Sequence, residues 1–192
     1  MKKHPNPQGK GLVPILQGLQ CTLPQIQVPA KRMVQIASEL FTSLFILRSE
    51  ITFKPTVGRS YWLYKINKRF KLLMVGPTEW HGAKPGLFVG ECVLQNDITW
   101  TLQLSAASSM DNELMALLKQ ASQQLQRDFY AGKKVEDVLP KYEASMSFYG
   151  RALAYGLSHS LHTSMVKAGI NGLSFEQAML ALQNQHNLNI NN

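Results

Sequence analysis

Two short polar stretches hold the residues that are best suited to chemistry. Glu79, Trp80 and His81 form the first stretch, and Asp97 and Trp100 belong to the second. Two carboxylates beside aromatic rings can hold a cationic ligand, or can divide acid and base roles if their environments separate their pKa values. The same carboxylates can instead accept backbone hydrogen bonds in turns, and both tryptophans can fill the core. The residue pattern favours this second, structural interpretation.

A second group of candidate residues shares one face of a predicted helix. Arg151, Tyr155, His159 and His162 follow one another at spacings of four, four and three residues, which places them on the same side. Two histidines three positions apart can both reach one metal ion, but no third ligand stands near them in the sequence and the His-Glu-x-x-His pattern is absent. A polar, solvated helix face is favoured over a metal site, and no cofactor is expected.

The basic residues are concentrated in the first half of the chain. The formal net charge is +8; residues 1–84 hold 13 Lys and Arg against 3 Asp and Glu, a net of +10, whereas residues 85–192 carry a net of −2. No acid occurs between Glu50 and Glu79. A field of one sign raises the encounter rate with anionic partners. An acidic protein or RNA fits this charge as a partner, and the same charge also serves solubility alone.

Aromatic and basic residues interleave over residues 61–71 of this basic half. The two sets are the cations Lys65, Lys68, Arg69 and Lys71 and the rings Tyr61, Trp62, Tyr64 and Phe70. Aromatic rings that stack on bases, set among cations that follow phosphates, are how sheet surfaces hold single-stranded nucleic acid. Alternating aromatics also fill ordinary cores, and the ribonucleoprotein signature is missing. The core interpretation is therefore favoured for the rings.

The common catalytic and nucleotide-binding motifs are absent. The chain has no Walker loop, no Gly-x-Gly-x-x-Gly, no Gly-x-Ser-x-Gly and no Cys-x-x-Cys. Gly9-Lys10-Gly11 is not a phosphate loop, because it does not link a strand to a helix with the required spacing. These absences favour a protein without catalytic activity and leave an unfamiliar enzyme as the alternative.

The two cysteines and the start of the chain indicate the cellular compartment. Cys21 and Cys92 lie far apart in the sequence, and two thiols in a chain of this size do not indicate a disulfide framework, which favours a reducing compartment. Cys92 is expected to be a small buried strand residue. The charged start is not followed by an apolar signal region, and no apolar run is long enough to span a membrane. A cytoplasmic protein is expected.

The order of periodic patterns predicts an α+β fold. Residues 1–30 hold five prolines and favour an extended arm. Apolar residues at spacings of three and four predict an amphipathic helix over residues 31–51. Alternating aromatic and β-branched residues then predict a four-stranded antiparallel β-meander. The strands are expected at Tyr61–Ile66, Phe70–Val75, Phe88–Leu94 and Ile98–Leu104.

From residue 111 the pattern becomes helical. Asp111 is predicted to be the N-cap of a first helix, and Gly132 is predicted to end it. A second helix is expected from about residue 139 to 167, with Pro140 in its first turn. Ser174 and Gln177 have the spacing of a capping box before a last apolar run.

These elements predict three regions. Residues 1–30 form the arm, residues 31–110 form the helix and sheet core, and residues 111–187 form a C-terminal helical region packed on the same domain. Small residues in the second C-terminal helix allow close helix approach. A structural subunit that self-associates through its C-terminal helices is a third hypothesis.

The middle segment resembles an uncharacterised family of bacterial and animal proteins that is known only as a domain of unknown function. The resemblance is carried by Tyr61-Trp62-Leu63-Tyr64-Lys65, by Gly76-Pro77-Thr78-Glu79-Trp80, by Gly90, and by Leu94 to Thr101; the opening Asn6 to Pro14 looks like its bacterial branch. It is strongest over residues 58–104. Because no activity, cofactor or catalytic residue is established for the family, the resemblance supports the organisation of the chain more than its function.

The leading hypothesis is a non-catalytic binding or adaptor protein whose basic half faces an acidic protein or RNA. Its candidate binding residues are Glu79, Trp80, Asp97, Trp100, Lys65, Lys68, Arg69 and Lys71. The alternative is an enzyme or small-molecule binder with a pocket near Glu79, His81 and Asp97. The alternative requires these three side chains to meet in one concavity.

Overall fold

The structure is a computed structural model that describes residues 30–131, 134–140 and 145–181. The predicted α+β class, with a four-stranded antiparallel sheet between an N-terminal helix and C-terminal helices, is confirmed. The predicted arm lies outside the described residues, except for Ala30. The elements are α1 (Met33–Leu47), β1 (Ser60–Ile66), β2 (Arg69–Leu73), β3 (Leu87–Leu94), β4 (Trp100–Leu104), α2 (Ala106–Ser109), α3 (Asn112–Tyr130), a 3-10 turn (Val135–Val138), α4 (Phe148–Lys167) and α5, which begins at 175 and is helical through 181.

The sheet has the strand order β2-β1-β3-β4. The two hairpins join through β1 and β3, so β1 has neighbours on both sides, unlike the first strand of a simple meander. The most deeply buried strand residues lie on β1 and β3, which explains their interior positions. The strand β2 lies at an edge of the sheet, and Glu50 covers part of its outer side through an isolated parallel bridge to Lys71.

Helix α1 covers one face of the sheet and also packs on α4. Its buried residues recur at spacings of three and four, which is the stripe that the sequence predicts. At the contact with α4 the backbones come close, since a Cβ at Gly150 would lie 2.7 Å from the Leu47 carbonyl oxygen. One hydrophobic cluster contains residues of α1, the sheet, α3 and α4.

The fourth strand is shorter than its alternating pattern predicts. Strand β4 begins at Trp100, whereas Ile98 belongs to the preceding turn and has a φ of 65°. The alternation holds in the strand itself: Trp100 is buried and Thr101 and Gln103 are exposed. The backbone N–H of Gln95 donates to the Thr99 carbonyl oxygen at 2.8 Å, which closes the turn before the strand begins. Local turn geometry therefore overrides the apolar pattern at Ile98.

Two of the predicted helix caps are confirmed. The Asp111 side chain accepts a hydrogen bond from the backbone N–H of Leu114 at 3.0 Å. Ser174 and Gln177 exchange the two bonds of a capping box, at 3.0 and 3.3 Å. The predicted stop at Gly132 lies outside the described residues.

The predicted start of the second C-terminal helix is wrong. Leu139 is extended, with φ −61° and ψ 147°, and helix α4 begins only at Phe148. A residue before proline avoids the helical region, so Leu139 before Pro140 ends the 3-10 turn instead of opening a helix. The side chain of Ser147 accepts from the Gly150 N–H at 3.2 Å and caps α4, which begins nine residues later than expected.

The close approach of β3 and β4 at Gly90 generates a stability prediction. A Cβ at this position would lie 2.3 Å from the Gln103 carbonyl oxygen and 3.0 Å from Leu102 Cδ1. Gly90→Ala should therefore lower the free energy of unfolding by about 1–3 kcal/mol, because the two strands must separate to admit the methyl group. The neighbouring exposed substitution Gln103→Ala should change it by less than about 0.5 kcal/mol. Urea unfolding measures both, and a Gly90→Ala variant as stable as the unaltered chain would contradict the packing described.

Candidate functional site

Glu79 and Trp80 fasten the loop that follows β2. The Glu79 carboxylate accepts a hydrogen bond from the Gly76 N–H, and Trp80 Nε1 donates to the Tyr64 hydroxyl at 3.0 Å. The Trp80 and Tyr64 rings also meet edge to face, with centroids 6.1 Å apart. Burial, together with the nearby Glu79 charge, raises the pKa of Tyr64, although the bond from Trp80 opposes this shift. These contacts close a loop and leave no polar group of Tyr64 aimed at solvent.

Asp97 belongs to a buried ion cluster with Lys31 and Glu39. The Lys31 ammonium bonds both carboxylates, and only 4% of its side chain is exposed. Asp97 also accepts from the backbone N–H of Thr99 at 3.1 Å and from the Thr99 hydroxyl at 2.6 Å. Burial by itself would raise the pKa of Asp97, but the bonds and charge of Lys31, with the bonds of Thr99, outweigh it and hold the pKa below its usual value.

Trp100 is a core residue on the side of the sheet that α1 covers. Its indole is 1% exposed and meets the Tyr61 ring at 6.0 Å. Its backbone N–H donates to the Ser43 hydroxyl of α1 at 2.9 Å. The indole Nε1 is buried without a hydrogen-bond partner among the described residues. The position of Trp100 between the sheet and α1 agrees with the structural interpretation of this tryptophan.

The structure does not bring Glu79 and Asp97 together. Tyr61 packs on Trp100, on the face of the sheet that α1 covers. Successive strand residues point to opposite faces, so the next residue, Trp62, points away from α1. Gly76 separates the Glu79 carboxylate from the Trp62 ring, and a Cβ there would lie 3.1 Å from each. Glu79 therefore lies on the face opposite α1, whereas Asp97 bonds Lys31 next to the start of α1.

His81 does not join either carboxylate. It is exposed in the loop after Trp80, and neither it nor Glu79 nor Asp97 lines either of the two clefts described below. The alternative hypothesis requires these three side chains to meet in one concavity, and in the observed arrangement they do not.

The four cations of the hairpin have two different environments. Lys65 Nζ lies 3.0 Å from a Glu113 carboxylate oxygen, and Lys71 Nζ lies 3.0 Å from Glu50. Lys68 and Arg69 are exposed at the β1–β2 turn and have no ion-pair partner in the described part of the chain.

A further exposed cation stands at the same end of the sheet. Lys84 lies two residues before Gly86, where a Cβ would be 2.4 Å from the Lys65 carbonyl oxygen. The loop that carries Lys84 is therefore held against the end of β1. We call Lys65, Lys68, Arg69 and Lys84 the basic end.

The turn at the basic end has an unusual backbone conformation for its residues. Asn67 and Lys68 both have positive φ, 48° and 66°, which is the geometry of the tight hairpin turn that matches strand twist. Asn is common at the first of these positions, but the second usually holds glycine, because a Cβ is strained there. Lys68 therefore costs stability relative to glycine in the turn while it presents an ammonium to solvent.

The aromatic rings of the hairpin do not form a stacking surface. Tyr61 and Tyr64 are 1% and 0% exposed, and Phe70 meets Phe45 of α1 with ring centroids 4.9 Å apart. Trp62 is half-buried beside Gly76. The cations of the interleaved pattern thus lie at the end of the hairpin, whereas its aromatic rings pack against the protein interior.

The histidine face of α4 lines a cleft of about 300 Å³ with the 3-10 turn. Sequence spacing predicted the shared face of Tyr155, His159 and His162, but not Glu136, which approaches from the 3-10 turn with an oxygen 3.9 Å from His162 Nδ1. The same Glu136 oxygen accepts from the Gly172 N–H at 2.8 Å. In the described residues no three His, Cys, Asp or Glu side chains lie close enough to hold a metal ion. Arg151 is directed elsewhere and donates to the Met146 carbonyl oxygen at 2.9 Å.

A larger cleft, of about 430 Å³, lies between α1, α3 and the 3-10 turn. Its apolar lining comes from Phe41, Leu44, Phe45, Ala121, Leu125, Val138, Leu139 and Pro140, and its polar lining from Arg48, Gln124, Asp128 and Asp137. Sequence reasoning missed it because the cleft is formed by residues of three elements that are far apart in the chain. Only Leu114 and Phe129, near the two ends of α3, are buried. The half-buried residues between them form one wall of the cleft.

The fold and these surfaces define an α+β protein built on a four-stranded antiparallel sheet, with a basic end and two helix-lined clefts. Residues 15–124, more than half of the chain, match the family model described as a protein of unknown function (DUF2452), and the chain belongs to that family. The resemblance seen in the sequence is thereby confirmed. Neither the comparison with curated proteins nor that with solved structures returned a match. No helix in the described ranges is long and apolar enough to cross a membrane.

The ion cluster generates a prediction about acid stability. Because folding lowers the pKa of Asp97, this carboxylate stabilises the fold above its unfolded-state pKa of about 4 and loses that contribution as the pH falls through the folded value. Asp97→Asn should lower the free energy of unfolding by about 1–3 kcal/mol at pH 7, and by progressively less below pH 4. Chemical denaturation across pH 2–7 measures both curves.

Asp111→Asn is the matched control for this experiment. It removes the same charge but keeps a side chain that caps a helix equally well, so its stability should follow that of the unaltered chain. An Asp97→Asn curve that coincides with the unaltered one at pH 7 would show that the cluster does not stabilise the fold. A constant offset down to pH 2 would show that ionisation of Asp97 is not the source of the stabilisation.

Proposed function

We propose that the protein is a non-catalytic binding or adaptor protein whose basic half binds an acidic partner protein. The observation that carries this proposal is the basic end, where Lys68, Arg69 and Lys84 are exposed without an acid partner in the described part of the chain. The first half of the chain supplies a net charge of +10 around it. Such a field speeds association with an anionic surface, and the exposed cations then contact it.

The turn geometry supports a binding role for Lys68 in particular. A left-handed conformation costs a residue with a Cβ roughly 1–2 kcal/mol relative to its usual backbone, and the hairpin turn does not need an ammonium to close. Backbone strain at an exposed residue is a reason to look for function there. Because Lys68 projects from a turn between paired strands, its charge is presented on a rigid element.

The buried rings favour a protein partner over RNA. Single-stranded RNA binding draws about 1–3 kcal/mol per base from aromatic stacking, but Tyr61 and Tyr64 are in the core and Phe70 packs on Phe45. The carboxylates of a protein partner can be bound by the exposed cations alone, without aromatic stacking. RNA remains the second partner that the charge would fit, through phosphate contacts alone.

The cellular setting belongs to the same proposal. We infer a cytoplasmic location from the two widely separated cysteines, and the free, buried thiol of Cys92 supports it. Burial and the adjacent Glu91 charge raise the pKa of this thiol to about 12, so Cys92 is unreactive at neutral pH. Self-association through the C-terminal helices stays a prediction that light scattering would test.

Charge reversal at the basic end tests the proposed function. Lys68→Glu combined with Arg69→Glu should weaken binding of a glutamate-rich peptide at least about tenfold, or about 1.4 kcal/mol. Lys119→Glu combined with Arg127→Glu makes the same change in net charge on the exposed side of α3 and should have a smaller effect. Fluorescence anisotropy over a salt series measures both, with a uridine oligonucleotide as the second probe.

The outcomes separate the alternatives. A peptide that fails to bind the unaltered chain at low salt, or that both double variants weaken equally, would overturn the proposal. If only the oligonucleotide binds, with steep salt dependence, the partner is RNA. Lys68→Gly keeps the turn and should leave stability equal or up to about 1 kcal/mol higher, so it separates loss of charge from loss of fold.

A second candidate function is the binding of a small apolar molecule between α1 and α3. The cleft of about 430 Å³ favours it, because its volume and its mostly apolar lining are typical of ligand pockets. This candidate places the small-molecule site away from Glu79, His81 and Asp97, because none of these three residues lines the cleft.

Filling this cleft tests the second candidate. Ala121 faces the cleft, whereas Gln123 on the same helix is exposed outside it. Ala121→Trp should reduce the fluorescence gained by an anilinonaphthalene sulfonate dye, because the indole occupies the space that the dye needs, and Gln123→Trp should not. Equal dye binding by the two variants would show that the cleft does not accept the probe.

A further inference from the structure

The basic end already holds one acid of the same chain. Glu113, in the first turn of α3, places a carboxylate oxygen 3.0 Å from Lys65 Nζ. The two residues are 48 positions apart, so the fold and not the local sequence brings them together. Lys65 is the central cation of this end, since it pairs with Phe70 on one side and with Leu87, close to the Lys84 loop, on the other.

The exposure of the two side chains shows that the acid is the outer member of the pair. The Lys65 side chain is 14% exposed, whereas that of Glu113 is 78% exposed. The lysine stem is covered by the protein, and its ammonium meets a carboxylate that stands almost entirely in water. A carboxylate from another molecule can therefore approach Lys65 from the side that Glu113 now occupies.

The free energy needed to displace Glu113 is small. Ion pairs with one solvated member stabilise a protein by about 0–1 kcal/mol. After displacement Glu113 still lies in the first turn of α3, where the positive end of the helix dipole favours a carboxylate. The Asp111 cap does not involve Glu113, so α3 keeps its start.

We propose that Glu113 is an intramolecular competitor for the acidic partner. A glutamate- or aspartate-rich segment of that partner binds by placing one carboxylate on Lys65 in exchange for Glu113, and further carboxylates on Lys68, Arg69 and Lys84. This inference rests on the proposed function and specifies it: the ligand that Lys65 holds in the folded chain is a carboxylate, and the partner supplies the same group. Glu113 thereby weakens attachment and makes it more reversible.

Removing the negative charge of Glu113 tests the competition. Glu113→Gln should tighten binding of a 12-residue glutamate-rich peptide about two- to fivefold, the factor that corresponds to at most about 1 kcal/mol. Glu176→Gln is the matched control, because Glu176 is also exposed and carries the same charge but lies on α5. The neighbouring Phe175 packs on Phe129, near the end of α3 opposite to Glu113. Anisotropy titrations at several salt concentrations measure the dissociation constants.

A double-mutant cycle shows whether the effect passes through Lys65. With Lys65→Gln in place, Glu113→Gln should no longer tighten binding, because the contested cation is gone. Equal effects of Glu113→Gln and Glu176→Gln would overturn the inference, since net charge alone would then explain them. An unchanged gain in the Lys65→Gln background would overturn it as well.

The failure of this inference is distinguishable from failure of the proposed function. If the peptide binds the unaltered chain and loses affinity on charge reversal of Lys68 and Arg69, but Glu113→Gln has no effect, the function stands and the competition does not exist. If the peptide does not bind the unaltered chain at low salt, the proposed function fails and the competition fails with it. Circular dichroism and thermal unfolding of each variant exclude loss of α3 as the cause.

Discussion

The ion pairs of the Lys31 ammonium link α1 to the sheet, and the position of the helix on the sheet depends on them. A buried amine is tolerated only with charged partners, and Lys31 finds Glu39 on α1 and Asp97 in the β3–β4 turn. The ion cluster therefore ties the N-terminal end of the helix to one end of the sheet. Farther along, the Ser43 hydroxyl accepts the Trp100 N–H. Two polar contacts thus determine where an otherwise apolar helix face lies.

The turn beside this cluster shows how the contacts reinforce one another. Ile98 has a φ of 65°, which is costly for a β-branched residue. Its side chain is 5% exposed, so burial of apolar surface offsets the cost. Asp97 bonds Thr99 on the far side of Ile98, and Gln95 accepts the Ile98 N–H at 3.0 Å. The strained residue is held from both sides, and Trp100 follows it into the core.

What could be predicted from the sequence was local. Period-two alternation in the strands, the Asp111 cap and the Ser174–Gln177 capping box depend on residues a few positions apart, and all three were found. Strand order could not be predicted, because the pairing of β1 with β3 joins residues more than twenty positions apart. The start of α4 was mispredicted since apolar spacing outweighed the extended preference of Leu139 before Pro140. Of the candidate sites, the basic hairpin was visible in sequence, but its pairing with Glu113 and the cleft along α3 were not.

The two ends of the sheet differ in the free energy that a ligand would need to displace the charged groups already paired there. A ligand that used Asp97 would have to break its ion pair with the buried Lys31, and losing the Asp97 carboxylate is expected to cost about 1–3 kcal/mol. A ligand at the basic end displaces at most Glu113, whose exposed pair contributes about 0–1 kcal/mol. The residues that carry most of the family resemblance, among them Trp62, Trp80 and Trp100, pack in or against the sheet. Binding is therefore better sought among the exposed cations Lys68, Arg69 and Lys84, which have no ion-pair partner in the described part of the chain.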